Sequence, residues 1–475
     1  MAVLKCWETL SFQPLSHQIQ AAEKVIEQME GRAILADEVG LGKTIEAGLV
    51  IRELLEREKI KRVLILTPSS LAPQWCMEMK EKFDLYFYHN RRDHNWTYFS
   101  FIVSSIDRAK RPEQLEGICQ AGFDLLVVDE AHRLKNNSTA NFKAVQKINA
   151  KYLLLLTATP LQNNLKELYN LVELVNPRLF GGLDNFQHRF IKGEQSARNL
   201  TTLQQVLTQV MIRNRKADIE LQLPPRLVNL VPVDLSPSEK LLYQGVNNYI
   251  RGEYRRRRFN KLSILNLITL QREICSSSFA AEDTLRRMGL SDLAELAAQI
   301  KENQKAQAVA DILSRPGQKA IIFTEFKATQ AYLYNFISEL GIRSLCYNGD
   351  LKAWDRVWAR HLFQEEYPVM ISTEAGGEGV NLQKANVVVN YDLPWNPMRV
   401  EQRIGRVHRL GQVNTVRIYN LFARDTVEEI ILDFLRRKIS LFEDAVGGLD
   451  QIVDGDLDVD AESSILTYLH GEPAC

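Results

Sequence analysis

No stretch of this sequence stays apolar long enough to cross a bilayer. The longest apolar runs, such as Tyr152–Leu156, fall far short of the ~18 residues that a spanning helix requires. Paired cysteines are missing as well. The six cysteines (6, 76, 119, 275, 346 and 475) are scattered with no CxxC spacing. That pattern fits neither a disulfide framework nor a zinc site, and it predicts a reducing cytoplasm. Net charge is absent: 59 basic and 59 acidic residues cancel. Wholesale coating of nucleic acid is thereby excluded, while a local basic groove is not. The first residues hold no apolar core of about 7–15 residues, so no secretory signal is expected. Internal repeats and long low-complexity tracts are also lacking.

What is present is a globular composition. The 475 residues are 45% hydrophobic and 25% charged, which predicts a soluble chain of about three domains or two large ones. Short β-branched runs at 62–67 (RVLILT), 101–104, 124–129 (DLLVVD) and 152–157 (YLLLLT) are nearly continuous in apolar residues. Runs of that kind suit parallel strands covered on both faces. Helical patterns lie between them, at 18–30 and 44–59. The same rhythm returns at 320–324, 369–372 and 387–391. The expected fold class is α/β, with two doubly wound parallel-sheet lobes and helical insertions between them. The middle zone, 161–300, reads as mostly helical. It carries a basic cluster at 251–261, including Arg255–Arg258, and the pair Pro224-Pro225 as a hinge. Lobe 1 is expected over 1–224 with a helical protrusion at about 161–207. Lobe 2 is expected over 225–447 with a helical insertion at about 236–300, followed by an acidic tail at 448–475.

Two motifs carry chemistry. Asp37-Glu38-Val39-Gly40-Leu41-Gly42-Lys43-Thr44 follows a short apolar run and opens a helix. Such a loop turns backbone N–H groups toward phosphate oxygens, and the helix N-terminus adds positive potential. Lys43 would reach the β- and γ-phosphates and Thr44 would ligate Mg²⁺. The match to G-x-x-x-x-G-K-[ST] is incomplete, because Asp37 occupies the first glycine position. Asp129-Glu130-Ala131-His132 ends the apolar run DLLVVD, where open α/β sheets bind their ligands. Asp129 would hold the Mg²⁺ shell and Glu130 would orient the attacking water as general base. Later in the chain, Gln402, Arg406 and Arg409 recur at i, i+4 and i+7, hence on one face of a helix over 401–410, with Arg403 about 100° round.

From DEAH onward the chain resembles the nucleic-acid-dependent ATPases of helicase superfamily two, and within them the Swi/Snf-like ATPases. The resemblance rests on DEAHRLKNNSTA (129–140), LLLTATPLQNNLKELYNLVELVNP (154–177), VMIRNRKADIELQLPPR (210–226), STEAGGEGVNLQKANVVVNYDLPWNP (372–397) and EQRIGRVHRLGQ (401–412). The variants Asp-Glu-Val-Gly (37–40) and Pro-Trp-Asn-Pro (394–397) lean toward bacterial members. Glu374 and Glu378 depart from a block in which many members carry Arg and Leu or Ile. The resemblance implies two RecA-like lobes with ATP in the cleft between them. It implies adenine reading by Gln18 and nucleotide contacts from Asp37, Glu38, Gly40, Gly42, Lys43, Thr44, Gln402 and Arg403. Arg406 and Arg409 would compensate charge on the γ-phosphate.

Candidate nucleic-acid contacts are Thr67, Pro68, Ser69, Asn163, Arg213, Asn348, Gly349, Thr373 and Trp395, where strand ends offer hydroxyls, amides and N–H groups. The cofactors implied are ATP and Mg²⁺. The expected activity is that of a DNA-dependent ATPase that translocates along double-stranded DNA or remodels proteins on it. The expected setting is a monomer in a bacterial cytoplasm, associated with the nucleoid. Action on RNA polymerase or RNA, and a motor subunit of a restriction or defence complex, stand as alternatives.

Overall fold

The apolar runs form two parallel sheets in a computed structural model. It describes residues 4–432, except 5, 93–94, 159, 161–164, 193–195, 198, 216–218, 220–222, 256–260, 316, 374–381, 395–396 and 410. The chain divides into two units at residues 222 and 223, beside the Pro224-Pro225 pair.

The first unit holds β1 (Arg32–Leu35), β2 (Val63–Thr67), β3 (Tyr88–His89), β4 (Phe101–Ser105), β5 (Leu125–Val128), β6 (Tyr152–Leu156), the hairpin β7 (Ile191–Lys192) and β8 (Ser196–Ala197), and β9 (Met211–Ile212). Its seven-stranded sheet runs β3-β4-β2-β5-β6-β1-β9, and every neighbouring pair is parallel. Alternation along each strand explains why the runs are apolar throughout. Leu64, Leu66, Leu126, Val128, Leu153 and Leu155 join one buried cluster. Val63, Ile65, Leu125, Val127, Leu154 and Leu156 join another on the opposite face. Helices α1 (Ser16–Glu27), α2 (Lys43–Glu56) and α3 (Ala72–Phe83) supply residues to the second cluster, including Val25, Leu49 and Trp75.

The helices expected to protrude, Leu165–Val175, Leu183–Phe190 and Leu200–Leu207, instead feed the first cluster through Leu168, Phe186, Phe190, Leu203 and Leu207. The reason is aromatic packing. Tyr169, Phe180, Phe186 and Phe190 form a contiguous ring cluster with centroids 4.7–6.1 Å apart. Arg32, at the start of β1, caps the first of these helices. It donates to the carbonyls of Leu174 and Val175 at 2.8 Å each and to that of Ala150 at 3.0 Å.

The second unit holds β10 (Arg226–Val233), β11 (Ala320–Thr324), β12 (Ser344–Tyr347), β13 (Val369–Thr373), β14 (Val387–Asn390) and β15 (Val416–Ala423), in the order β10-β15-β14-β11-β13-β12, again all parallel. Four helices, Pro237–Arg255, Lys261–Ser276, Ser278–Arg287 and Ser291–Gln299, stand where an insertion was expected. They share a separate core through Leu242, Val246, Leu270, Leu285 and Ala294. A buried ammonium joins elements of this unit. Lys305 Nζ donates to Glu428 Oε1 at 2.6 Å and to the Tyr391 carbonyl at 3.0 Å. Burial alone would lower the Lys305 ammonium, but Glu428 and Asp392 outweigh it and hold it above its ordinary range.

Candidate nucleotide site

Three strand ends of the first sheet gather the chemistry. β1 leads through Ala36 into the 37–42 loop, β2 ends at Thr67, and β5 runs into Asp129. In a parallel sheet these ends share one edge. Gly40 and Gly42 take φ of 94° and 93°, left-handed values that favour glycine. A Cβ at Gly42 would also lie 2.4 Å from Gln18 Nε2. The loop is tight because α1 packs against it. Gln18 Nε2 donates to the Leu41 carbonyl at 2.9 Å, and His17 Nε2 lies 3.1 Å from the same oxygen. Gln18 Oε1 accepts the Leu15 N–H at 3.0 Å. The carboxamide expected to read adenine therefore braces the loop here.

Asp37 is fully buried. Its carboxylate accepts the Asn214 backbone N–H at 2.8 Å and the Asn214 side-chain amide at 2.9 and 3.2 Å. The residue that replaces a glycine of the phosphate motif thus clamps the loop to the end of β9. Lys43 Nζ donates to the carbonyls of Asp37 at 2.6 Å and Glu38 at 3.3 Å. Desolvation pulls its ammonium below the ordinary range, opposed by Glu46, Asp37, Glu130 and Asp129. Thr44 sits half-buried at the second residue of α2. Glu46 is fully buried, and its ligand atoms cluster with those of His17 and Asp37 within 4.8 Å. Burial, and then the Asp37 carboxylate, push the Glu46 carboxyl well above its ordinary value.

Asp129 is oriented by three donors. Trp75 Nε1 and Thr67 Oγ1 donate to its Oδ2 at 2.8 and 3.3 Å, and the Glu130 N–H donates to Oδ1 at 2.8 Å. Burial and the neighbouring Glu130 carboxylate raise its pKa to about 6, while the Trp75 and Glu130 hydrogen bonds and Lys43 work the other way. Glu130 takes φ of +51°, a left-handed conformation that is strained for a residue with a Cβ. The His132 Nδ1 lies 3.1 Å from its Oε2. An ammonium, a hydroxyl, a desolvated carboxylate and a strained second acid at one sheet edge form the donor set that a nucleotide triphosphate with a divalent cation requires. ATP and Mg²⁺ fit these residues.

The expected nucleic-acid contacts within the described residues take the following places. Thr67 and Pro68 are buried and the Thr67 hydroxyl serves Asp129, so only Ser69 of that trio is exposed. Arg213 lies beside the phosphate loop: desolvation lowers its pKa, opposed by Glu38 and Asp37. Asn348 is engaged in its own turn, donating to Gln330 Oε1 at 2.8 Å and accepting the Asp350 N–H at 3.1 Å, while the Gly349 carbonyl takes Arg356 at 2.7 Å. Thr373 is buried at the end of β13. Asn163, Trp395, Glu374, Glu378 and the acidic tail lie outside the described residues, as do residues 256–258 of the basic cluster.

In the second unit the helix expected over 401–410 spans Pro397–Ile404 and then tightens. Gly405 still donates four residues back, to the Glu401 carbonyl at 2.8 Å, whereas Arg406 and Val407 donate to the carbonyls three residues back at 3.2 and 3.0 Å. Gln402, Arg406 and Arg409 remain half-buried. Arg403 does not join them. Its side chain is buried over the Phe323 ring, with Nη1 donating to the Asp392 carbonyl at 2.7 Å and to Asn390 Oδ1 at 3.2 Å. It acts as a strut of the second sheet. Sequence reasoning also missed Trp75, Asn214 and Glu46. Asn214 adjoins the singled-out Arg213, and Glu46 lies one helical turn after Lys43. Nothing in the pattern marked Trp75 as other than core.

The chain is similar to known proteins along most of its length. A model of the SNF2-related domain matches residues 17–280, and one of the helicase conserved C-terminal domain matches residues 304–411. The chain is 45% identical over 458 residues to the uncharacterized ATP-dependent helicase YqhH of Bacillus subtilis, covering 93% of this chain and 81% of that one. It is 30% identical over 452 residues to a CHD3-type chromatin-remodeling factor of Arabidopsis thaliana, covering 90% of this chain but 36% of the plant protein. Among solved structures, a Sulfolobus solfataricus SWI2/SNF2 ATPase core in complex with dsDNA aligns over 98% of both chains at 24% identity, with a TM-score of 0.46.

Proposed function

The chain belongs to the SNF2-related family of helicase superfamily two, and from that premise we propose that it hydrolyses ATP to translocate along double-stranded DNA or to remodel proteins bound there. The observation that carries the reading is the placement of Lys43, Asp129 and Glu130 at one edge of the first sheet, where the Asp129 and Glu130 carboxylates both favour the charged Lys43 ammonium. Lys43 leaves the Asp37 and Glu38 carbonyls to neutralise the β- and γ-phosphates. Backbone N–H groups of the 38–44 loop cradle the phosphates. Thr44 and Asp129 would hold the divalent cation, which would neutralise charge on the phosphates when bound. Glu130 orients and deprotonates the attacking water. Arg406 and Arg409, with Gln402, compensate charge that develops in the transition state.

The track in this reading is duplex DNA. The Arabidopsis relative is named as a chromatin-remodeling factor. The chain's charge balance, 59 against 59, leaves binding to local phosphate contacts rather than to a general basic coat. Among the described residues no helix is long and apolar enough to cross a membrane. The test is displacement of a third strand from a DNA triplex. ATP should drive it, and a blunt duplex of moderate length should stay paired, because separation needs a wedge against roughly 1.4 kcal/mol of stacking per base-pair step. Efficient unwinding of that duplex would move the reading to a strand-separating helicase.

A further inference from the structure

We propose that Trp75 is a positioning residue for the cation-holding carboxylate of Asp129, so that α3 sets how that carboxylate presents its free lone pair. The inference deepens the ATPase reading and rests on Asp129 as a cation ligand.

The sheet order makes the contact possible. β2 lies directly beside β5, so the chain leaving β2 turns next to the acid that follows β5. That chain makes a turn closed by the Leu71 N–H on the Pro68 carbonyl at 2.9 Å and then enters α3. Trp75 lies one turn into the helix, 2% exposed. A buried indole N–H needs an acceptor, and here the acceptor is Asp129 Oδ2 at 2.8 Å.

Lone-pair arithmetic gives that hydrogen bond its consequence. A carboxylate offers about four acceptor sites. Trp75 and Thr67 occupy those of Oδ2, and the Glu130 N–H takes one on Oδ1. What remains for a cation is a site on Oδ1, at a rotation fixed chiefly by the indole, since the Thr67 contact is longer at 3.3 Å. Partners behind a metal ligand commonly govern metal affinity by ~10–100-fold. Ser69, the exposed residue of the 67–69 segment, lies in the turn that opens this helix.

The test measures cation binding directly. Mn²⁺ affinity of the full chain with ADP is read by electron paramagnetic resonance for the wild type, Trp75→Phe and Asp129→Asn. A further variant carries 3-(3-benzothienyl)alanine at position 75, in which sulfur replaces the indole N–H at unchanged shape. The proposal expects Trp75→Phe and the isostere to weaken Mn²⁺ by about tenfold or more, with ADP affinity in the absence of metal unchanged. In turnover, the Mg²⁺ needed for half-maximal rate should rise by a similar factor, and excess Mg²⁺ should restore most of kcat. A packing defect would not be repaired by Mg²⁺. The isostere guards against misfolding of Trp75→Phe. Wild-type Mn²⁺ affinity in the isostere, with affinity lost in Asp129→Asn, overturns the role of Trp75 alone. Wild-type affinity in Asp129→Asn overturns the reading of Asp129 itself.

Discussion

Asp37 and Asn214 tie the phosphate loop to the end of β9 through three hydrogen bonds on one carboxylate, at 2.8, 2.9 and 3.2 Å. The two residues are 177 apart in sequence. Asp37→Ala should therefore lower unfolding free energy by about 1–3 kcal/mol, because a buried N–H and amide lose their acceptor. A double-mutant cycle with Asn214→Ala, followed by denaturant unfolding, should give a coupling above about 0.5 kcal/mol. Additive effects would remove the side-chain amide from the clamp and leave only the backbone N–H bond.

Lys43→Ala should keep the fold and lose ATP turnover. Among the described residues the ammonium donates to two loop carbonyls, and burial works against its charge. Its removal should leave the melting temperature unchanged or higher while phosphate release falls to background. A folded variant with normal turnover would refute the phosphate-loop assignment.

Glu130→Gln should bind ATP and hydrolyse it very slowly. The substitution keeps shape and the left-handed backbone at φ +51° but removes the carboxylate that activates water. Nucleotide binding by calorimetry beside single-turnover hydrolysis separates the two effects. A wild-type rate would show that another group is the base.

The two neighbouring arginines should part company. Arg403→Ala should cost on the order of 2–4 kcal/mol of stability, since it empties a buried site and strands Asn390 Oδ1 and the Asp392 carbonyl. Arg406→Ala should cost less stability than Arg403→Ala and lower kcat by ~10³-fold or more, with ATP affinity kept. Equal unfolding midpoints for both variants would contradict this division.

Much of this was legible in the sequence, and the failures share a cause. Parallel strands buried on both faces announce themselves by continuous apolar runs, and β2, β5, β6, β11 and β14 fall within a residue or two of the expected ends. β10 and β15 went unread because Arg226, Asn229 and Pro232 interrupt the one, and Arg417 and Asn420 the other. They pair with each other in full register, a tertiary fact no local pattern carries. The phosphate loop and the DEAH acids were legible because their chemistry is local. The partners that orient them, Trp75 and Asn214, lie tens to hundreds of residues away in sequence and read as ordinary core and loop.

Burial of Glu46 gives a pH dependence. Its folded pKa stands above the ordinary value of 4.5, raised first by burial and then by Asp37. Between those two values the folded state binds more protons than the unfolded one, so stability falls as pH rises from about 4.5 toward the raised value. Glu46→Gln lacks this loss. Its melting temperature relative to wild type should therefore climb with pH across that window. A difference independent of pH would show that Glu46 is charged in the fold.

The claim that this is a duplex-directed ATPase is tested most directly by steady-state ATP hydrolysis with no polynucleotide, duplex DNA, single-stranded DNA and RNA in parallel at fixed salt. The account predicts the largest stimulation with duplex DNA of any sequence, weakening steeply as salt is raised. Stimulation by RNA alone, or a rate that no polynucleotide changes, would contradict it.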